Sequence, residues 1–459
     1  MQKFKEGLWD GKIRLFNLRT RMLPIGLLNS LEEMLRSRGY ETQHVDNPYF
    51  GPVQAEDNSV SEDSFLLYPI TSRGEEIEPH DYQLFALVEA IRTSCGLFLS
   101  PTASGKSLII YLAIRVFLDN YDTDVLLVVP NKSLVKQMHG DFKDYSEFDD
   151  SFDAEKEVHW LMAGRDKISD KRILLTTWQS VYKQEEEFFE RFGMCIVDEA
   201  HLAKAKSLSA IMANAKNAKF RLGFTGTLDG EESSEMQLVG HFGPVKQVTT
   251  TKKMMDDGKA SNLKIQVVNL KYPPEDIDLA KKMTYQQEID FLVSHEKRMD
   301  FVVNVALQQT GNTLVLFRYV QKHGKEIYKR LLDKASQGRK VFFVAGEVDV
   351  QIRDDIRAIV EKEKNAIIVA SFATMSTGSN IRNIHNLIFP APSKSQINVL
   401  QSIGRGLRLS DNGQDTLLID IVDDLRAGKK ENYAFKHGVE RIKIYNNQNF
   451  NYKIYTIPL

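Results

Sequence analysis

Gly96-Leu97-Phe98-Leu99-Ser100-Pro101-Thr102-Ala103-Ser104-Gly105-Lys106-Ser107-Leu108-Ile109-Ile110 is the stretch that decides the fold. An apolar strand-like run, Gly96 to Ser100, passes through a loop of small residues into a helical pattern from Leu108 to Leu118. That order makes a cradle for phosphate, because the unpaired N–H groups and positive end of a helix N-terminus point at the anion. Gly105 lets the backbone approach, the Lys106 ammonium can neutralise β and γ oxygens, and the Ser107 hydroxyl can ligate Mg²⁺. The common pattern has Gly where this chain has Ser100. A capped helix start would also read Gly-Lys-Ser, but the strand before and the helix after favour the phosphate cradle.

Working outward, further apolar runs at Val125 to Pro130, Arg172 to Thr177, Met194 to Val197 and Arg221 to Thr227 alternate with helical spacing. A second block repeats the plan with Thr313 to Phe317, Val341 to Ala345, Ala366 to Ser371, Asn386 to Pro390 and Thr416 to Ile421. Continuous apolar strands separated by helices predict parallel sheets covered on both faces. The chain is therefore α/β, with two tandem doubly wound parallel-sheet domains over residues 76–260 and 261–425. Thr249 to Pro274 is polar, holds one strand-like run, Leu263 to Leu270, and reads as the linker. Residues 1–75 predict a small α+β domain, with a strand at Lys12 to Phe16 and a helix at Leu27 to Arg36. Residues 426–459 predict a short C-terminal extension packed on the second domain.

Two more motifs bear chemistry. Asp198-Glu199-Ala200-His201 follows the apolar Cys195-Ile196-Val197, so the acids emerge at the carboxyl edge of a parallel sheet, where such folds bind ligands. Asp198 can hold Mg²⁺, Glu199 can polarise the attacking water, and His201 is placed to sense the γ-phosphate. Acids at a helix start would look the same in isolation. Gln401-Ser402-Ile403-Gly404-Arg405-Gly406-Leu407-Arg408 puts Arg405 and Arg408 on one helical face with Gln401 a turn before. That face can be solvated, or can reach a neighbouring domain's nucleotide as arginine fingers. Ala370-Ser371-Phe372-Ala373-Thr374 leads to Gly378, small and hydroxylated residues suited to a loop near phosphates and a strand backbone.

The order of these segments resembles the helicase motifs of superfamily 2, whose two core domains are RecA-like. The resemblance assigns the adenine-reading element to Ile77 to Gln83, with Gln83 on the base and Tyr82 stacking on it. It assigns Thr102, Ala103, Ser104, Gly105, Lys106, Ser107 and Gly378 to ATP, and Ser107 with Asp198 to Mg²⁺. Lys106, Asp198, Glu199, His201, Gln401, Arg405 and Arg408 would carry hydrolysis. The strand-gripping motifs would be Val129-Pro130-Asn131-Lys132-Ser133-Leu134 and Thr176-Thr177-Trp178-Gln179-Ser180, with Pro130, Asn131, Thr177 and Trp178 as the contacts and Thr374 from the second domain. Trp178 can equally be a core aromatic beneath its loop. Thr225-Gly226-Thr227 stands where that family couples hydrolysis to movement. Leu316-Phe317-Arg318-Tyr319 resembles the motif that opens the second domain. Gly7 to Leu15 and Lys436 to Ile442 are further similar to phage helicases of the UvsW type, which branch-migrate joint DNA in recombination, replication and repair. Lys12 and Arg14 are then candidate duplex contacts, or an amphipathic strand with a wet face. Relative to that family the chain is expected to start late, without the first strands of the N-terminal region.

Composition narrows the classes. With 42% hydrophobic and 27% charged residues among 459, the chain can bury substantial cores, and a net charge of −2 excludes a globally basic coat for nucleic acid. No run of about 18 apolar residues would span a bilayer, and Met1 to Glu6 lacks the apolar stretch of a signal peptide, so a cytoplasmic protein is expected. Cys95 and Cys195 lie in apolar runs and read as two buried thiols. The expected cofactors are ATP and Mg²⁺. The expected partner is DNA, branched or forked with single-strand character, and a monomer suffices. A double-strand translocase, an RNA helicase and a non-catalytic nucleic-acid scaffold are the alternatives. The last would need a degraded phosphate loop or acidic pair, and both are intact.

Overall fold

The computed structural model describes residues 14–43, 68–161, 169–202, 205–228, 232–336, 338–346, 348, 350–372, 374, 383–391, 399–400, 402–404, 415–428 and 430–459. The chain divides into two compact units, Met1–Ser100 with Gly105–Val248, and Thr249–Leu459 with Pro101–Ser104.

The sheet of the first unit comprises β1 (Cys95–Leu99), β2 (Asp124–Val129), β3 (Val158–Trp160), β4 (Ile173–Thr177), β5 (Phe192–Val197), β6 (Phe220–Thr225) and β7 (Val245–Gln247). Every pairing is parallel, in the order β3-β4-β2-β5-β6-β1-β7. The sheet of the second unit comprises β8 (Leu263–Lys271), β9 (Thr313–Phe317), β10 (Val341–Val344), β11 (Ile367–Ser371), β12 (Asn386–Phe389), β13 (Thr416–Asp424) and β14 (Tyr452–Pro458). Its order, also all parallel, is β10-β11-β9-β12-β13-β8-β14, so adding seven to each strand of the first sheet reproduces the second. The two-block plan seen in the sequence is thus a repeat of topology.

Successive residues of the inner strands feed opposite cores, as period-2 geometry requires. In β2, Val125, Leu127 and Val129 join one core cluster while Leu126 and Val128 join another. In β9, Leu314 and Leu316 face one cluster, Val315 and Phe317 the other. Helices α1 (Leu28–Ser37), α2 (Asp81–Thr93), α3 (Lys106–Asn120), α4 (Lys132–Tyr145) and α5 (Glu232–Phe242) belong to the first unit. Residues Leu108 to Phe117 of α3 are all buried, which is why their pattern is almost wholly apolar, the one charge, Arg115, being paired with Asp149. Among the described residues no helix is long and apolar enough to cross a membrane.

Three expectations need correction. Lys12 lies outside the described residues, and Arg14 to Phe16 form no strand. Instead Asn17 Oδ1 accepts from the N–H groups of Arg19 and Thr20, and an isolated bridge joins Asn17 to Met22. A side chain that satisfies nearby backbone donors favours a turn over a ladder. The short helical turn before α1 is held differently, since a Cβ at Gly26 would lie 1.9 Å from Val239 O of α5. Secondly, Leu263–Lys271 is no linker element but an interior strand, paired with β13 on one side and β14 on the other. Thirdly, the C-terminal residues complete the sheet instead of only packing against it: β14 pairs along Ile265 to Lys271.

The second unit also buries a polar frame. It includes α6 (Tyr285–Ser294), α7 (Glu296–Gln308) and α8 (Tyr433–Asn447). Arg298 of α7 donates to Asp423 Oδ1 at 2.6 Å and Oδ2 at 3.0 Å, with Tyr272 donating to the same carboxylate at 2.8 Å. Glu288 of α6 accepts from the Tyr433 and Ala434 N–H groups, an acid at the N-terminus of α8. Removing one member of such a buried pair strands the other's charge, so these contacts fix the carboxyl end of β13.

Candidate active site

The phosphate loop sits where its strand and helix require. Ser100 N donates to Thr225 O at 2.8 Å, extending β1 alongside β6, and the chain turns into α3 at Gly105. Gly105 has φ 76°, and a Cβ there would lie 2.2 Å from Gln83 Nε2. Both facts demand glycine. Ala103 also takes a left-handed conformation, φ 71°, and Ser104 Oγ donates to Pro101 O at 2.6 Å. Lys106 Nζ lies 3.3 Å from Ser100 O and 3.3 Å from Glu199 Oε1. The hydroxyls of Ser107 and Tyr145 are 2.8 Å apart.

The acidic tetrad leaves the end of β5. Asp198 N donates to Val128 O, and Asp198 Oδ1 accepts from the Glu199 N–H at 2.9 Å. Glu199 has φ 47°, a strained value for a non-glycine residue and one that turns its carboxylate toward Lys106. Burial, then the adjoining Glu199 charge, pushes the Asp198 carboxyl up to about 7. A carboxylate so disfavoured as an anion gains most from a bound cation. His201 Nδ1 lies 2.6 Å from Thr225 Oγ1, which donates to Thr227 O at 2.8 Å. Strand ends β1, β5 and β6 therefore bring Lys106, Asp198, Glu199, His201 and Thr225 into one contact network.

Among the described residues no cluster of three His, Cys, Asp or Glu side chains could hold a metal alone. Magnesium suits such a site, since it takes one or two protein oxygens and leaves the remainder to phosphate and water. The Ser107 hydroxyl and the Asp198 carboxylate are oxygen donors of that kind.

Gln83 is buried on α2, its Oε1 accepting from His80 N at 2.8 Å in a capping box. Tyr82 packs against the core, its ring 5.4 Å from His80, and burial raises its phenol to about 12. The strand-gripping candidates meet in pairs. Gln179 Nε2 donates to Pro130 O at 3.3 Å, which ties together the loops after the neighbouring strands β2 and β4. Asn131 Oδ1 caps α4 by accepting from Leu134 N, and Thr177 Oγ1 lies 3.0 Å from Ser180 Oγ. Trp178 is half-buried against the core and edge-on to Tyr182, the packing role its ring could equally fill. Thr374 is buried, with its hydroxyl 2.7 Å from Ser371 Oγ. Arg14 is exposed. Lys12, Gly378, Gln401, Arg405 and Arg408 lie outside the described residues. Both cysteines are free thiols, Cys195 buried and Cys95 partly so.

Local sequence reading missed Tyr145, whose partner Ser107 is 38 positions away. It also left Thr225 without a contact to His201, although both stood in quoted motifs.

Residues 76–230 match the family described as type III restriction enzyme, res subunit. The structure of Saccharomyces cerevisiae Dbp5 bound to RNA and ADP BeF3 shares the fold, with a TM-score of 0.54 at 13% identity over 83% of this chain and 90% of that one. The DNA 3'-5' translocase XPB2 of Sulfurisphaera tokodaii is 24% identical over 406 residues, 81% of this chain and 86% of its own. UvsW of Enterobacteria phage T4, an ATP-dependent DNA helicase, is 35% identical over 475 residues, covering 100% of this chain and 92% of UvsW. Identity at that level along the entire chain makes this protein a member of the UvsW-type family of superfamily 2 helicases.

Proposed function

We propose that the protein is an ATP-dependent DNA helicase that unwinds and branch-migrates forked or joint DNA in recombination, replication and repair. The observation that carries the catalytic part is the meeting of Lys106, Glu199, His201 and Thr225 at the carboxyl ends of β1, β5 and β6. Full-length similarity to an ATP-dependent DNA helicase supports the choice of DNA, and the choice of branched substrates follows the resemblance of Gly7 to Leu15 and Lys436 to Ile442 to phage branch-migrating helicases. The expected place of work is the cytoplasm.

Phosphoryl transfer needs placement and neutralised charge more than covalent chemistry. The N–H groups at the start of α3 and the Lys106 ammonium would hold the triphosphate, with Gln83 and Tyr82 on the adenine. Ser107 and Asp198 would hold Mg²⁺, which when bound offsets charge on the phosphate oxygens. Glu199 would orient the attacking water and take its proton. His201, hydrogen-bonded to Thr225, would transmit loss of the γ-phosphate to the end of β6. Arg405 and Arg408, with Gln401, are assigned to the nucleotide by sequence. Pro130, Asn131, Thr177, Trp178 and Thr374 are assigned to the strand, and Lys12 and Arg14 to duplex.

The test measures ATP hydrolysis and strand displacement with no nucleic acid, single strands, duplex, forked DNA and RNA. Greatest stimulation and ATP-dependent displacement on forked DNA are expected. Preference for uninterrupted duplex without displacement would favour a translocase, and preference for RNA an RNA helicase. Arg405→Ala should slow turnover while leaving ATP binding intact, and normal turnover would remove its assignment.

A further inference from the structure

We propose that Tyr145 is a positioning residue for the magnesium-binding hydroxyl of Ser107. The inference rests on the nucleotide site proposed above and extends it to a residue that none of the quoted motifs contains. The Tyr145 and Ser107 hydroxyls are 2.8 Å apart. A serine that ligates a cation offers a lone pair to the metal, so its proton must point elsewhere. Tyr145 Oη is within hydrogen-bond reach to accept that proton. Accepting it fixes the serine rotamer and leaves the ligating lone pair aimed away from the tyrosine.

The tyrosine is well placed to act as a fixed point. It is the last residue of α4, whose first turn is capped by Asn131 and whose Val135, Met138 and Phe142 are buried in the core. Its ring packs 5.6 Å from the Tyr111 ring, and Tyr111 belongs to α3, the helix that Ser107 helps to start. Helix α4 thus presents a hydroxyl to the start of α3, where Ser107 lies.

Equilibrium binding of a fluorescent, non-hydrolysable ATP analogue to the full chain tests this, titrated with Mg²⁺ and repeated in EDTA. For Tyr145→Phe the affinity in EDTA should equal that of the unmodified protein. The Mg²⁺ needed for half-maximal binding should rise roughly five-fold, the loss of about one ordinary hydrogen bond. In a Ser107→Ala background the same substitution should change nothing, since the two act as one unit. Identical Mg²⁺ titrations for Tyr145→Phe and the unmodified chain would overturn the proposal. So would an equal loss of affinity with and without Mg²⁺, which would mark a purely structural role. If the unmodified chain binds nucleotide with no Mg²⁺ dependence, the site reading itself fails, a distinct result.

Discussion

Lys106 Nζ and Glu199 Oε1 lie 3.3 Å apart, both side chains mostly shielded from water. The base expected to orient water and the cation expected to bind phosphate are therefore partners of one another. A triphosphate must compete with Glu199 for that ammonium. Glu199→Gln removes the competing charge while keeping the shape. It should bind ATP severalfold more tightly and hydrolyse it at least about 100-fold more slowly. Nucleotide titration with single-turnover hydrolysis checks both, and weaker binding by the variant would refute the competition. Lys106→Ala, by contrast, should lose hydrolysis altogether.

Gly105 combines φ 76° with a Cβ position 2.2 Å from Gln83 Nε2. Alanine there would carry the left-handed penalty, about 1 kcal/mol, and would also displace the amide that faces the loop. Gly105→Ala should lower thermal stability modestly but reduce ATP affinity by tenfold or more. Unchanged nucleotide binding would show that Gln83 and the loop are not held together as described.

The His201 to Thr225 contact of 2.6 Å joins the end of β5 to the end of β6. Thr225→Val keeps the β-branched shape and removes the hydroxyl that also donates to Thr227 O. Hydrolysis should persist at a reduced rate, while base pairs opened per ATP should fall more steeply. Equal loss of the two activities would mean that Thr225 serves the chemistry and not its coupling to movement.

How far the sequence could be read follows from where each residue sits. Strands β1, β2 and β5 are covered on both faces, so Leu97, Val125 and Ile196 stand in continuous apolar runs. Edge strands β3 and β7, Val158-His159-Trp160 and Val245-Lys246-Gln247, need no such run and gave no signal. Strand β8 reads as strand-like but as part of a linker, because Lys264, Gln266 and Asn269 break its apolar run: Lys264 is exposed and Gln266 half-buried on one face, and Asn269 half-buried on the other. Asn269 is matched by Asp424, to whose Oδ2 its amide donates at 3.3 Å. In the site, Lys106, Asp198 and Glu199 were legible because phosphate chemistry demands those groups next to those strands. Tyr145 was not, because its role depends on α4 returning to the start of α3, which no local pattern encodes.

His323, fully buried, and His241, half-buried, make an acid-stability prediction. Burial lowers His323 to about 3 and His241 to about 4, with the Arg298 charge adding to the first and Arg221 to the second. Both stay neutral in the folded chain at pH values where the unfolded chain, with a histidine pKa near 6.5, takes up protons. Their contribution is complete above about pH 6.5 and is lost as pH falls toward about 4 for His241 and about 3 for His323. Each removes up to about 1.4 kcal/mol per pH unit in that window, before most carboxylates are protonated. Denaturant unfolding at pH 7, 6 and 5 should show stability falling with acid. His323→Phe removes one titrating group without adding a charge, so it should lower stability at pH 7 through imperfect packing but flatten the decline toward pH 5. A variant whose stability falls as steeply as that of the unmodified chain would show that His323 is not the buried neutral group responsible.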